Sequence, residues 1–217
     1  MDEAELTNRL RACYTGIVHD VMRAMGLKNF TLPSEIRPIL PDVPLAGSVF
    51  TIAGRVDFAA DGHQCLLEWT GLLSKARAGH IWVSQPNDRL VAHMGELSAE
   101  TLKAKGVLGC LVDGYVRDSD FLLKMGFQTW CRGFTPRDIV GYWLPSGFDV
   151  PIIIGEVTMR PGDFLVADCD GAICVPRDMV QKVIEAAEAA MSAESQVRNA
   201  ILEGVDPQEA YLRFGKF

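Results

Sequence analysis

The sequence predicts a single α/β domain, and three observations carry that expectation. The chain has 217 residues with no low-complexity linker, long charge run or internal repeat to divide it, and domains run at roughly 100–200 residues. Helical and strand patterns alternate through the first two-thirds, then give way to a β-rich stretch and a terminal helix. Apolar residues make up 48% and charged residues 23%, ordinary globular usage that excludes a disordered chain. A fold of this size buries about 70% of its unfolded surface, so its core needs neither disulfides nor a structural metal.

Leu6 to Met25 reads as one helix, because Leu10, Cys13, Ile17, Val21 and Met25 recur near period 3.6 and Gly26 is a stop. Thr31 to Pro44 carries four prolines and is extended or looped. Ala46 to Val56 has strand composition. Gln64 to Ala78 reads as a second helix ended at Gly79. Ile81 to Ser84 is a short strand and Arg89 to His93 another. Ser98 to Lys105 is helical and stops at Gly106. Val107 to Val112 is an apolar strand, Asp120 to Met125 a short helix, and Phe127 to Cys131 the next strand. Extended segments follow at Val150 to Ile154, Val157 to Met159 and Phe164 to Ala167. Asp168-Cys169-Asp170-Gly171 is a turn signal before a strand over Ala172 to Val175. Pro176 opens a final helix from about Arg177 to Glu203, with Val180, Val183, Ile184, Ala187, Ala190 and Met191 in one stripe.

Composition narrows the function classes. Lys and Arg number 21 against 28 Asp and Glu, a formal net charge of −7. That balance argues against a nucleic-acid partner, whose grip rests on cations against phosphate. No apolar run approaches the roughly 18 residues of a membrane span, and Met1-Asp2-Glu3-Ala4-Glu5 is acidic where a secretory leader is basic. The six cysteines form no C-x-x-C pair and the four histidines are scattered, so no zinc-finger spacing is present. These features predict a cytoplasmic protein with reduced, mostly buried thiols and no membrane contact.

Chemistry concentrates between His93 and Asp120. Gly95-Glu96 precedes the Ser98 helix, where free N–H groups and the positive dipole end suit a carboxylate or phosphate. Arg117-Asp118 lies in the turn between a buried strand and a helix. Arg117 offers a planar fork for a carboxylate or enolate, and Asp118 a hard oxygen ligand for Mg²⁺ or Mn²⁺. Each feature also has a plainer reading: a strand-to-helix turn at Gly95-Glu96, an N-cap at Asp118 or Ser119, and a surface ion pair at Arg117.

Glu96, then twenty residues, then Arg117-Asp118 resembles the acidic-x20-Arg-Asp signature of the class II pyruvate aldolases. These cleave 4-hydroxy-4-methyl-2-oxoglutarate and 4-carboxy-4-hydroxy-2-oxoadipate, and share a superfamily with the regulator of ribonuclease activity A. The similarity includes Ala46-Gly47 with Phe50-Thr51, Val112 through Asp118, Arg160-Pro161-Gly162-Asp163, Ala167 through Gly171 and Val175-Pro176. It runs in order over roughly residues 10 to 205.

The resemblance implies a single β/β/α swivelling-type domain across residues 1–217, with N- and C-terminal helices. It implies a homotrimer or homohexamer with the active site between subunits, and helix and tail about 177–217 packing at the interface. The alanine-rich final helix and the apolar tail Tyr211-Leu212-Arg213-Phe214 are consistent with such docking. It also implies roles. Asp118 is the metal ligand, for Mg²⁺, Mn²⁺ or another divalent ion. Arg117 binds the keto oxygen and carboxylate of a small 2-oxo acid. The amides of Gly95, Glu96, Leu97 and Ser98 hold the pyruvyl carboxylate. Glu96 orders water on the metal, and Glu194 is the match for a carboxylate supplied by a neighbouring subunit. The implied activity is cleavage of a 4-hydroxy-2-oxo di- or tricarboxylic acid to pyruvate through an enolate, with oxaloacetate decarboxylation as a side activity.

Glu96 favours this enzyme over a non-catalytic, protein-binding regulator, whose relatives are expected to lack the acidic partner. A decarboxylase or sugar-acid lyase on the same site is the other rival. Asp138-Ile139-Val140-Gly141-Tyr142-Trp143 departs from the basic, glycine-rich stretch expected near the outer side of the pocket. Arg132 and Arg137 are either solvated arginines or contacts for a second carboxylate. His93 is either a satisfied strand histidine or a pocket residue. Tyr142 and Trp143 are expected to pack rather than to hold substrate.

Overall fold

The computed structural model describes residues 1–215. Two helices open the chain: α1 (Glu3–Arg11) and α2 (Thr15–Ala24). Asp2 caps α1 by accepting from the Glu5 N–H at 2.7 Å. The single helix expected over Leu6 to Met25 is therefore broken, at Ala12 to Tyr14. The cause lies far along the chain. Asp168 accepts from the Thr15 N–H and the Thr15 hydroxyl, both at 2.7 Å, so its carboxylate caps a new helix where period 3.6 alone would continue the old one.

A short edge strand, β1 (Arg37–Pro38), leads to the long central strand β2 (Leu45–Val56). Then α3 (Gly62–Ser74), β3 (His80–Gln85), α4 (Glu96–Ala104), β4 (Gly109–Val112), β5 (Tyr115–Val116), α5 (Ser119–Met125) and β6 (Thr129–Cys131) follow. Strands β2, β3, β4 and β6 are parallel neighbours, joined by helical crossovers as parallel pairing demands. The strand expected over Arg89 to His93 does not form. Asp88 accepts from the N–H groups of Leu90 and Val91, each at 3.0 Å, and this turn leaves one bridge, Ala92 to Tyr115.

The second half is antiparallel. It opens with β7 (Gly133–Phe134), which still pairs β5 in parallel, and the antiparallel pairings follow in β8 (Trp143–Phe148), β9 (Ile152–Ile154), β10 (Val157–Met159), β11 (Phe164–Asp168) and β12 (Gly171–Val175). The main sheet runs β1-β6-β4-β3-β2-β11-β12, with β8 also on β2. Asp163 closes the turn before β11 by accepting from the N–H groups of Arg160 and Arg177 at 2.7 and 3.0 Å. Strand β8 escapes the sequence pattern because Pro145 and Gly147 interrupt it and the register with β2 shifts at Ala53/Gly54.

Alternation along β2, β3 and β4 sets the layers. Val49, Ile81, Val83 and Leu111 face the β9–β10 hairpin through Ile152, Ile154, Val157 and Met159. Phe50, Ile52, Trp82 and Val112 face α3, α4 and α5. The order is β/β/α, as expected. The final helix is α6 (Val180–Leu202), which packs Val180, Val183, Ile184 and Ala187 with α1 and α2. A further helix, α7 (Pro207–Phe214), occupies the tail that the sequence showed only as apolar. The expected interface segment runs to residue 217, so its last two residues lie outside the described ones. No described helix is long and apolar enough to cross a membrane.

Candidate functional site

The parallel strands end on one edge, and the chain leaves β3 and β4 there to reach α4 and α5. Ligands of α/β sheets gather at such carboxyl ends. A cavity of about 580 Å³ opens at that edge, and Gly95, Glu96, Leu97, Ser98, Arg117 and Asp118 all line it. The structure thus gathers the sequence-predicted core of the site, although more than twenty positions separate its two halves.

Asp118 has φ +57, a left-handed conformation that Asp and Asn tolerate better than other side-chain-bearing residues. It occupies the N-cap position of α5, and its carbonyl accepts from the N–H groups of Phe121 and Leu122. Its carboxylate makes no cap bond. Instead Oδ2 accepts from the Glu96 N–H at 3.1 Å, so the N-cap reading accounts for its backbone and not for its side chain. This bond also changes the expected use of the α4 amides. Glu96 N–H is engaged by Asp118, while the first-turn N–H groups of Leu97 and Ser98 have no acceptor within the helix.

Gly95 is required by close approach. Its backbone is extended, but a Cβ there would sit 2.7 Å from Asp118 Oδ2 and 3.1 Å from Arg117 Cγ. Arg117 is anchored by its N–H to the Met94 carbonyl at 2.9 Å. Its Nε lies 3.6 Å from Asp118 Oδ2 and its Nη1 3.5 Å from Asp138 Oδ2. These contacts are loose and about 40% exposed, so they contribute little to stability and leave the guanidinium able to take another anion. The floor is fixed: the buried Trp69 donates its indole N–H to Ser98 Oγ at 2.9 Å.

Asp118 presents one hard oxygen donor group, with Glu96 and Asp138 on the same cavity. Mg²⁺ characteristically takes one or two protein carboxylates and fills its remaining positions with water and substrate oxygens, so this donor set fits such an ion. Asp168, Cys169 and Asp170 are the three ligand-type residues that cluster within 4.8 Å among the described residues. They lie at the β11–β12 turn, and Asp168 is already committed to Thr15.

The remaining residues resolve differently. His93 does not reach the cavity: it is 1% exposed, with Nε2 3.0 Å from Asp88 Oδ2 and its ring centroid 4.9 Å from that of Trp143. Tyr142 donates its hydroxyl to Asp88 at 3.1 Å, and Trp143 donates its indole N–H to the Pro86 carbonyl at 2.8 Å, so both pack as expected. Arg132 is neither solvated nor a second-carboxylate contact. Its side chain is 7% exposed and its Nε meets Asp113 Oδ1 at 2.5 Å. Arg137 is exposed and lines a neighbouring cavity of about 420 Å³. Glu194 lies on α6, accepts from the Tyr14 hydroxyl, and is not part of the Arg117 cavity within one chain. Burial, then this bond, pushes the Tyr14 phenol up to about 12. The sequence reading missed Asp138 as a partner of Arg117, because no spacing or periodicity links the two positions.

Burial pushes the Asp88 carboxyl upward, but donors from His93, Val91 and Leu90 overcome it and hold the group below its usual range. Burial, only partly opposed by the Asp88 hydrogen bond, lowers His93. The folded pair is therefore a carboxylate and a neutral imidazole. As pH falls, unfolded His93 takes up a proton at about 6.5 while the folded ring does not. Its stability contribution is full above that pH and declines below it, whereas Asp88 loses its own only under stronger acid, below about 3.9. Tm should fall between pH 7 and pH 5, and this slope should flatten in His93→Gln. An unchanged slope in that variant would assign the pH dependence to other groups.

The chain is similar to known proteins over most of its length. The family model described as RraA-like (Aldolase/RraA) matches residues 15–174. A protein of Halalkalibacterium halodurans, named as a candidate 4-hydroxy-4-methyl-2-oxoglutarate aldolase, is 26% identical over 210 residues, covering 97% of this chain and 95% of that protein. The uncharacterized protein MJ0644 of Methanocaldococcus jannaschii is 32% identical over 198 residues, 86% of this chain and 92% of its own. The crystal structure of Streptomyces coelicolor RraAS2, described as an unusual member of the RNase ES inhibitor RraA protein family, superposes with a TM-score of 0.80. It is 25% identical, and the match covers 89% of this chain and 96% of that one.

Proposed function

The chain belongs to the RraA-like (Aldolase/RraA) family, and from that premise we propose that it is a divalent-metal-dependent lyase that cleaves a 4-hydroxy-2-oxo acid to pyruvate. The observation that carries this reading is the Arg117-Asp118 pair facing the first turn of α4 across one cavity, with Gly95 giving the close approach. The resemblance of the Halalkalibacterium halodurans protein supports it.

In this reading Asp118 is the ligand of a Mg²⁺ or Mn²⁺ ion. When bound, the ion supplies Lewis-acid polarisation of the 2-oxo acid's keto and carboxylate oxygens. The substrate carboxylate sits at the free N–H groups of Leu97 and Ser98, where the helix dipole favours it. The Arg117 fork meets the keto oxygen. Water held by the Glu96 carboxylate takes the proton from the C4 hydroxyl. The C3–C4 bond breaks, its electron pair becomes the pyruvate enolate, and C4 leaves as a carbonyl. Arg117 holds the oxygen on which charge develops, where a preorganised donor is most effective. Protonation at C3 completes pyruvate. Loss of CO₂ from oxaloacetate gives the same enolate, so we propose that as a side activity.

We place the protein in the cytoplasm, a setting its free thiols suit, and we propose a trimer or hexamer in which Glu194 of a neighbour approaches the site. Pyruvate release from a panel of 4-hydroxy-2-oxo acids, read by coupling to lactate dehydrogenase, tests the activity. Release should require Mg²⁺ or Mn²⁺, stop with chelator and return on metal addition. The likeness to RraAS2 favours one rival, a protein-binding regulator. No release across the panel, together with tight binding to a large ribonuclease, would decide for it.

A further inference from the structure

The same cavity carries information about the other half of the substrate. Resting on the aldolase reading, we propose that the substrate is a 4-hydroxy-2-oxo monocarboxylate with a hydrocarbon or aromatic group on C4. The fragment released beside pyruvate is then an uncharged, apolar aldehyde or ketone. This departs from the di- or tricarboxylic substrate implied by the sequence resemblance.

The charge of the cavity is the first reason. Arg117 is the one cation among the described residues that line it, against three carboxylates, Glu96, Asp118 and Asp138. One substrate carboxylate leaves the site net negative even with a divalent ion present. A second carboxylate would enter with no cation of its own, and like charges brought together in a partly desolvated site are costly.

The placement of Asp138 is the second. Its Oδ2 lies 3.5 Å from Arg117 Nη1, so a second substrate carboxylate brought to that side of the guanidinium would meet the Asp138 charge. Its Oδ1 accepts from the Val140 N–H at 3.1 Å, which holds the 138–140 turn against the cavity. Of the two arginines weighed for a second carboxylate, Arg132 is held on Asp113 and Arg137 lines the neighbouring cavity.

The remaining wall is the third reason. Leu66, Trp69, Leu73, Met94, Ile139 and Val140 supply it. Leu66 is 50% exposed and Val140 41% exposed at its outer part. Exposed apolar side chains around a concave site mark where an apolar ligand is received. A hydrocarbon group on C4, directed away from the Arg117 end, meets this wall. Cleavage then moves the C3–C4 electron pair into pyruvate enolate and the C4 hydroxyl proton to water, and the neutral carbonyl compound departs without crossing charged groups.

The test pairs turnover with binding, both in Mg²⁺ buffer on the intact chain. Turnover compares 4-hydroxy-2-oxohexanoate with 4-hydroxy-2-oxoadipate by pyruvate release. Binding compares 2-oxohexanoate with 2-oxoadipate by calorimetry. The uncharged tail should win by about tenfold or more in kcat/KM and in Kd, since each 1.4 kcal/mol is a factor of ten. Asp138→Asn keeps the oxygen that accepts from Val140 and removes the charge, so it should narrow the preference by about tenfold. Val140→Arg should narrow it further by adding a cation to the wall. Equal or better cleavage of the dicarboxylate overturns this inference and leaves the aldolase reading intact. No cleavage of either acid, with 2-oxohexanoate still bound more tightly than 2-oxoadipate, overturns the aldolase reading while the apolar preference of the cavity holds.

Discussion

Arg117→Lys is expected to lower kcat/KM for pyruvate release by about 10²–10³-fold, the usual cost of removing one preorganised donor from a developing oxyanion. Lysine keeps the charge and loses the planar fork. The loss should therefore appear in kcat, where the enolate forms, more than in KM. Asp118→Asn is expected to cost at least as much, about 10³-fold. Asparagine is the right replacement because the position has φ +57, which alanine would tolerate poorly. Its side-chain oxygen still accepts from the Glu96 N–H, so the α4–α5 geometry stays and only the anionic ligand goes. The two changes act on one chelated anion, and the double variant should be little worse than either single one. Full turnover in both single variants would overturn the mechanism. Unchanged kcat with a raised KM in Arg117→Lys would reduce Arg117 to a binding residue.

That experiment isolates chemistry from folding because the two residues are held by backbone. Arg117 N–H is bound to Met94 and Asp118 carbonyl to α5, and neither side chain is in the core. The same fact explains why the site's centre was legible in the sequence. Glycine-acidic before a helix and Arg-Asp between a strand and a helix are local patterns, and a parallel sheet with short crossovers brings such turns to one edge whatever the details. Strands with strand-type or continuously apolar composition, such as β2 through β4, were equally legible. Long-range side-chain contacts were not. The break between α1 and α2 is made by Asp168, more than 150 positions away, as the bonds to Thr15 show. The bent segment at Arg89 to His93 follows from Asp88 accepting two N–H groups. Arg132 is buried on Asp113, a pairing between the ends of the neighbouring strands β6 and β4, and Asp138 meets Arg117 only in three dimensions. Periodicity registers which face a residue takes; it carries no information on which distant carboxylate will meet it.

The fit between Gly54 and Trp143 joins the fold to the site and should produce the largest loss of stability. Trp143 is 1% exposed; its ring packs on Trp69 at 6.0 Å and on His93 at 4.9 Å between centroids. A Cβ on Gly54 would fall 1.7 Å from Trp143 Cζ2, so no other residue can stand there unless the indole moves. Trp143→Ala is expected to cost about 3–5 kcal/mol, a fall in Tm of roughly 6–20 °C for a chain of this size. Gly54→Ala should destabilise by a comparable mechanism, overpacking, at about 1–3 kcal/mol or more. The two effects cannot be independent if the clash is their cause. In the double variant Gly54→Ala/Trp143→Ala the added methyl meets space rather than an indole, so the combined loss should fall short of the sum by about 1–3 kcal/mol, measured by urea unfolding. Strict additivity would mean that Gly54 is needed for its backbone at the β2–β8 register shift and not for the indole. The activity of Gly54→Ala then reads the connection to the cavity. Trp143 follows the 138–140 turn by three residues, so displacing it should disturb the wall that faces Arg117 while leaving Asp118 on the Glu96 N–H. Turnover should shift in its preference between charged and uncharged tails before metal dependence changes.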